Sequence, residues 1–317
     1  MRLLPALLSV AALLALAPGC ATTLSTMQTA RTLAPGQVQV SGGMGVFIPV
    51  GTLVEVVDSG IDQGEEARDA VDEGRPYTLT EEAQERLLTA GVALMVAPPG
   101  ANPELMLRVG VVDRVDVGLR YSGISLRVDA KVHLLHGGTA DREGRMEPGQ
   151  HSYDVALGVG AARHFFSSPV LDVLEVVQMG DFSRYDVEVP LYLSADFGDI
   201  FKLYGAPKYV YSHTRLDARL VDYSREGKPV TGFDAALPAT VGSHFVGSTV
   251  GMALGYRYVY LFAELTGGYI FCNPVLFGEK LNLGGVTVFP AFGIAVRTGG
   301  PSPAPEGRGM GGGAERE

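Results

Sequence analysis

Successive side chains of a β-strand point to opposite sides of its sheet, so strict two-residue alternation restricts a chain more than any other pattern. This chain repeats that alternation about ten times. Between residues 124 and 134 the even positions read Ile124, Leu126, Val128, Ala130, Val132 and Leu134. The odd positions read Ser125, Arg127, Asp129, Lys131 and His133. One face is continuously apolar and the other carries charge.

The same pattern runs through 37–48, 104–112, 115–122, 152–165, 185–197, 201–212, 245–256, 259–271 and 286–297. Most of these segments have the length that a tilted strand needs to cross hydrocarbon, roughly 9–11 residues. Residues 201–212 carry it more weakly, because Pro207 lacks a ladder donor. The connections alternate as well. Asp113-Arg114, 198–200 and Arg257-Tyr258 are short, whereas 49–103, 166–184, 213–244 and 272–285 are longer. The short link at Gly123 and the longer one over 136–150 break the trend. Tight turns at one end and long loops at the other are the habit of a membrane barrel with both termini at the short-turn, periplasmic end.

Composition agrees. Charged residues make up 19% and glycine 42 of 317 positions, which suits a strand-rich chain whose outer face is not wetted. A net charge of −10 leaves no electrostatic footprint for nucleic acid. Beyond the N-terminus no run of eighteen apolar residues occurs, so no transmembrane helix is expected.

Met1-Arg2, the apolar stretch 3–17 and Pro18-Gly19-Cys20 form a signal peptide over 1–19. Leu16-Ala17-Pro18-Gly19-Cys20 resembles a bacterial lipobox, which implies acylation of Cys20, and Ala21 implies sorting to the outer membrane. Ordinary cleavage after Ala21 is the alternative. Acylated Cys20 leaves Cys272 without a disulfide partner, as a small apolar filler. Residues 20–36 read as a tether, 37–298 as the barrel domain and 299–317 as a disordered Gly/Pro-rich tail. Within loop 49–103, residues 51–90 hold eleven acidic side chains and three arginines. Thr78-Leu79-Thr80-Glu81 looks like a capping box for a short helix over 82–90, stopped by Gly91. This loop is either solvated outside or folded into the barrel mouth.

The signal ending at Cys20, the hairpin 108–118 and the alternating strands from 104 to 297 together resemble a bacterial outer-membrane β-barrel protein of the small, lipoprotein-like kind. The resemblance implies an all-β, antiparallel transmembrane barrel of about ten strands, with outer-membrane lipid and the barrel assembly machinery as partners. The chain departs from such barrels in having no Trp, and in ending its last strand Val296-Arg297-Thr298 before a tail. Interface aromatics are Tyr121, Tyr185, Phe197, Phe201, Tyr209, Tyr211, Tyr256 and Tyr269.

The polar face gathers Arg108, Arg120, Arg127, Asp129, Lys131, Glu188, Lys202, Lys208, Glu264 and Arg297, all expected in the lumen. Buried charges must pair or be hydrated, and a ten-stranded barrel is narrow. The lumen is therefore either a salt-bridged filling or a narrow polar path. No nucleophile elbow, metalloprotease helix, Walker loop or dinucleotide fingerprint occurs, so neither an enzyme nor a cofactor is expected. Ser212-His213 and Ser243-His244 are adjacent on strands and face opposite ways. His133, His136, His151 and His164 lack metal-ligand spacing.

Function then reads as an outer-membrane barrel, narrow or closed, serving limited passage of small polar solutes or a structural, surface role. The alternatives are a lipid-anchored periplasmic β-domain that binds a partner or apolar ligand, and a lipid-modifying barrel enzyme. Leu126→Arg should block membrane assembly, since mid-bilayer Arg on a lipid face costs about 2–4 kcal/mol. Loss of heat-modifiable migration in the membrane fraction would report it, and normal assembly would refute the assigned face.

Overall fold

A computed structural model describes residues 23–51, 53–54, 68–69, 72–74, 99–138, 150–165, 177–198, 200–220, 236–256, 258–276 and 279–298. Nine long strands come first: β1 (Val38–Phe47), β2 (Gly100–Val112), β3 (Val115–Tyr121), β4 (Ser125–Gly138), β5 (His151–His164), β6 (Val177–Phe197), β7 (Phe201–Leu220), β8 (Ala236–Tyr256) and β9 (Val259–Cys272). The two-residue strands β10 (Val275–Leu276) and β11 (Glu279–Lys280) form a small hairpin ahead of β12 (Gly285–Arg297). Each long strand pairs antiparallel with its sequence neighbour, and β1 pairs with β12 from Gln39↔Arg297 to Gly45↔Ala291. The sheet is thus a closed ten-stranded barrel without a free edge, which removes the usual hazard of unpaired strand groups.

All ten alternating segments of the sequence are strands of this barrel. The ladder extends further than alternation indicated in β6, β7 and β8, which project at the loop end. Pro207 does not interrupt β7, whose pairing with β8 runs from Phe201↔Leu254 to Arg219↔Ala236. On the β6 side the ladder skips Ala206 and Pro207 and resumes in the same register at Leu193↔Gly205, so the missing donor costs local pairing and no register. The helix expected over 82–90 and the tail after 298 lie outside the described residues.

Burial follows the two-residue period closely. Outward rows are aliphatic: Leu105, Leu107 and Val109 on β2, Leu126, Val128 and Val132 on β4, and Val250, Met252 and Leu254 on β8. Among the barrel-strand residues whose side chains are described, outward Arg or Lys occurs near the loop end, at Arg163 and Arg215. Aromatics border this band. Tyr153, Phe197, Tyr256 and Tyr258 ring the short-turn end, while Tyr121, Phe165, Tyr185, Tyr209, Tyr269 and Phe271 ring the loop end. The Arg163 guanidinium lies 5.7 Å from the Phe165 ring centre and 5.8 Å from that of Tyr185.

Residues 23–33, within the stretch 20–36 that reads as a tether, are packed inside the barrel. This stretch has no regular secondary structure, yet Thr23 through Ala30 and Leu33 are all buried. Thr23 meets Glu104 in the loop-end half of the barrel, and Leu33 meets Asp116 near the β2–β3 turn. Gly36, at φ +77°, then reverses the chain into β1. The segment therefore runs down the inside of the barrel from the loop end toward the short-turn end. The physical reason is room: the inward rows of β1, β8 and β12 are dominated by Gly, Ala, Ser and Thr, and something must fill the space they leave.

Candidate functional site

The inward face is built as two walls around this segment. On β2, β3, β4 and β6, the Arg108 guanidinium bridges Asp116 and Asp129, and Arg127 pairs with Glu188. Glycines face these long side chains. A Cβ on Gly118 would lie 2.6 Å from Arg108, and one on Gly160 would lie 2.9 Å from Arg127. Small and large residues thus alternate around the lumen as the taper of a narrow barrel requires. The opposite wall, on β7, β8 and β9, presents Lys208, Tyr204, Thr249, Glu264 and Thr266.

An extended chain in this space brings backbone groups that no sheet or helix satisfies, and the walls satisfy them by charge. Carboxylates and hydroxyls take its amides. Glu264 accepts from the N–H of Thr26 at 2.6 Å and of Met27 at 2.8 Å, Ser194 from Ala30 at 3.2 Å, and Asp116 from Leu33 at 3.1 Å. Cations take its carbonyls. Arg120 donates to the carbonyls of Ser25 at 2.7 Å and Thr26 at 3.0 Å. Lys131 donates to those of Thr29 at 2.9 Å and Arg31 at 3.1 Å, and Lys208 donates to that of Leu24.

Apolar side chains of the segment dock at three levels. Leu24 packs with Phe47, Phe245 and Phe289, Met27 with Tyr204, Tyr260 and Phe262, and Ala30 with Ala156, Tyr192 and Ala206. Met27, at φ +41°, rests against the β1–β12 seam. There a Cβ on Gly43 would stand 2.7 Å from its sulfur and one on Gly293 2.6 Å. Voids beside the segment are water-sized, one bordered by Gln28, Arg31 and Lys202 and another by Thr23, Arg127 and Glu188.

Nine of the ten charged residues expected in the lumen are buried on the inward face, and Arg297 is half-buried at the short-turn end. The latter donates to Gln39 Oε1 at 3.1 Å. Lys202 pairs with Asp196. Pairing among inward residues that the sequence reasoning did not select is equally dense. Asp186 joins His164 at 2.7 Å and Arg184 at 2.9 Å, and Arg120 stands 3.6 Å from Glu104. These acids and bases lie in the same alternating rows, so the pattern held their positions. Nothing in the pattern pointed to the segment, whose signal is a three-residue recurrence of Leu24, Met27, Ala30 and Leu33 among Ser, Thr and Gln. The histidines beside serines point away from one another as expected: Ser212 and Ser243 are buried, while the exposed His244 bonds Tyr209 at 2.7 Å.

No protein-family model matches the chain. No curated protein sequence matches it. Solved structures of similar shape include neisserial surface protein A, at 11% identity over 82% of this chain and 95% of that one, with a TM-score of 0.31. Ail, the attachment invasion locus protein of Yersinia pestis, shares 9% over 83% and 99%, at 0.30. The outer membrane protease OmpT from Escherichia coli shares 8% over 87% and 100%, at 0.34. At such identities and scores these likenesses assign no activity, and the closed barrel rests on its own strand pairing.

Glu264→Ala should destabilise the barrel by about 1–3 kcal/mol, because two buried amides and the Tyr204 hydroxyl lose their acceptor. A lower urea midpoint with unchanged slope is the expected result. An unchanged midpoint would show that Glu264 does not hold the segment.

Proposed function

We propose that this chain is an outer-membrane barrel sealed by its own N-terminal segment, and that its role is structural, as a stable wall element that displays loops at the outer surface. One observation carries the reading: residues 23–33 occupy the lumen and are hydrogen-bonded to both of its walls. Passage of even small polar solutes would require a path, and the voids beside the segment among the described residues are water-sized. The membrane part of the proposal is supported by the outward aliphatic band between two aromatic borders. A water-soluble protein rarely exposes a continuous apolar surface of this extent. Outer-membrane lipid and the assembly machinery are the partners that such a barrel requires.

Attachment of lipid at Cys20 belongs to the same proposal, with one change from the tether reading. Thr23 is three residues after Cys20, and three residue steps span at most about 11 Å. Because Thr23 lies in the loop-end half, the acyl group is assigned to the loop-end side of the membrane and not to the periplasmic leaflet. Metabolic labelling with palmitate should mark the wild-type chain and not Cys20→Ser, and label-free wild type would remove the anchor from the proposal.

The sealed lumen is tested in planar bilayers. Wild-type protein should give no stepwise conductance, whereas a variant lacking residues 23–33 should conduct, provided it still shows heat-modifiable migration. Steady wild-type conductance that the deletion leaves unchanged would replace the sealed barrel with a solute path.

A further inference from the structure

The short-turn end of the barrel holds a cluster that the sequence alone did not foretell. His133 and His136 are three residues apart on β4, a spacing that puts side chains on opposite faces of a regular strand. A bulge between His133 and Leu135 inserts one extra residue, so that His133 stands opposite Ala156 while His136 stands opposite Asp154. Both imidazoles then reach the interior side together. The sequence spacing alone offers no ligand pair among these histidines; one shift of register brings His133 and His136 together, and bulges commonly serve to re-aim a side chain.

The resulting geometry is convergent. His133 Nε2 lies 2.9 Å and His136 Nδ1 2.7 Å from the same oxygen, Asp154 Oδ1. The three candidate ligand atoms all fall within 4.8 Å of one another. The Asp154 side chain is fully buried, whereas that of His136 is 34% exposed, which leaves a route in from the short-turn mouth. On the far side, Asp154 Oδ2 accepts from Arg31 at 3.1 Å, and Arg31 also donates to Ser152 at 3.0 Å. A ligating carboxylate that is fixed through its second oxygen is the usual outer-shell arrangement of a metal site.

We propose that His133, His136 and Asp154 bind a divalent transition cation of the zinc class at this end of the barrel. Two imidazoles and one carboxylate are the ligand set such ions take, with water completing the shell. Metal–ligand bonds of about 2.0–2.2 Å in tetrahedral array separate ligand atoms by roughly 3.3–3.5 Å. The two contacts to Oδ1 need open by only about half an ångström to admit the ion. The bound cation would staple β4 to β5 and, through Asp154, hold Arg31 where the N-terminal segment leaves the lumen. The site rests on the β4–β5 register and is independent of whether the barrel conducts.

The full chain, folded in detergent and verified by heat-modifiable migration, is titrated with Co2+ by absorbance and with Zn2+ by calorimetry. One equivalent of Co2+ with d–d bands, displaced by Zn2+, is expected. His133→Ala and His136→Ala should each weaken binding at least tenfold, since loss of even an outer-shell partner costs about 10–100-fold. His213→Ala on β7 should leave affinity unchanged. Should the alanine variants misfold, wild-type protein is acylated with a histidine-selective reagent with and without Zn2+, and the modified sites are read by mass spectrometry. Selective protection of His133 and His136 supports the site. Absence of Co2+ bands, binding that survives in folded His133→Ala/His136→Ala, or equal modification with and without Zn2+ overturns it.

Discussion

A charge removed from water must find an opposite charge or a set of hydrogen bonds, and in this barrel that requirement organises everything inside the wall. Closure of ten strands satisfies the sheet's own backbone but leaves inward rows rich in Arg, Lys, Asp and Glu. Salt bridges across β2, β3, β4 and β6 absorb part of them. Arg120, Lys131, Lys208 and Glu264 are left to be satisfied chiefly by a chain segment that itself has no secondary structure to satisfy it. The exchange is reciprocal, with carboxylates on the amides and cations on the carbonyls. Without the segment, Arg120 and Lys131 would keep only the longer contacts to Glu104 at 3.6 Å and Asp116 at 3.5 Å, and Glu264 only the Tyr204 hydroxyl.

That reciprocity explains why the segment is extended. A helix would keep its carbonyls and amides to itself and offer nothing to the walls. The extended chain instead docks Leu24, Met27 and Ala30 at three successive levels while Ser25, Thr26 and Gln28 turn toward polar neighbours. Gly43 and Gly293 clear the space for the Met27 sulfur at the closure seam. The seam is therefore shaped by the filling as much as by the pairing of β1 with β12.

The wall was legible because its signal is periodic and local. Leu126 and Arg127 can only face opposite ways on a strand, and with ten such segments the faces must join into two continuous surfaces. The filling was not legible, because an extended segment hydrogen-bonded by side chains from eight strands has no period that its own sequence must display. Thr23 finds Glu104 and Thr26 finds Glu264 across 81 and 238 residues, and no local rule reaches that far. The three-residue recurrence at Leu24, Met27, Ala30 and Leu33 becomes meaningful only once the three apolar levels of the lumen are known.

The same limit accounts for the histidine cluster. Alternation assigns His133 and His136 to opposite faces, and it does so correctly for every regular stretch of the barrel. One residue of slippage after His133 reverses the assignment for the rest of β4 and brings His136 over Asp154. Leu134 and Leu135, both outward and exposed, show why the slip is tolerated: two apolar residues share the outward position that one would normally hold. A polar residue at either place would put that slip at a cost on the apolar face. The consecutive leucines are thus what allows the chain to keep its outer surface greasy while turning a second imidazole inward.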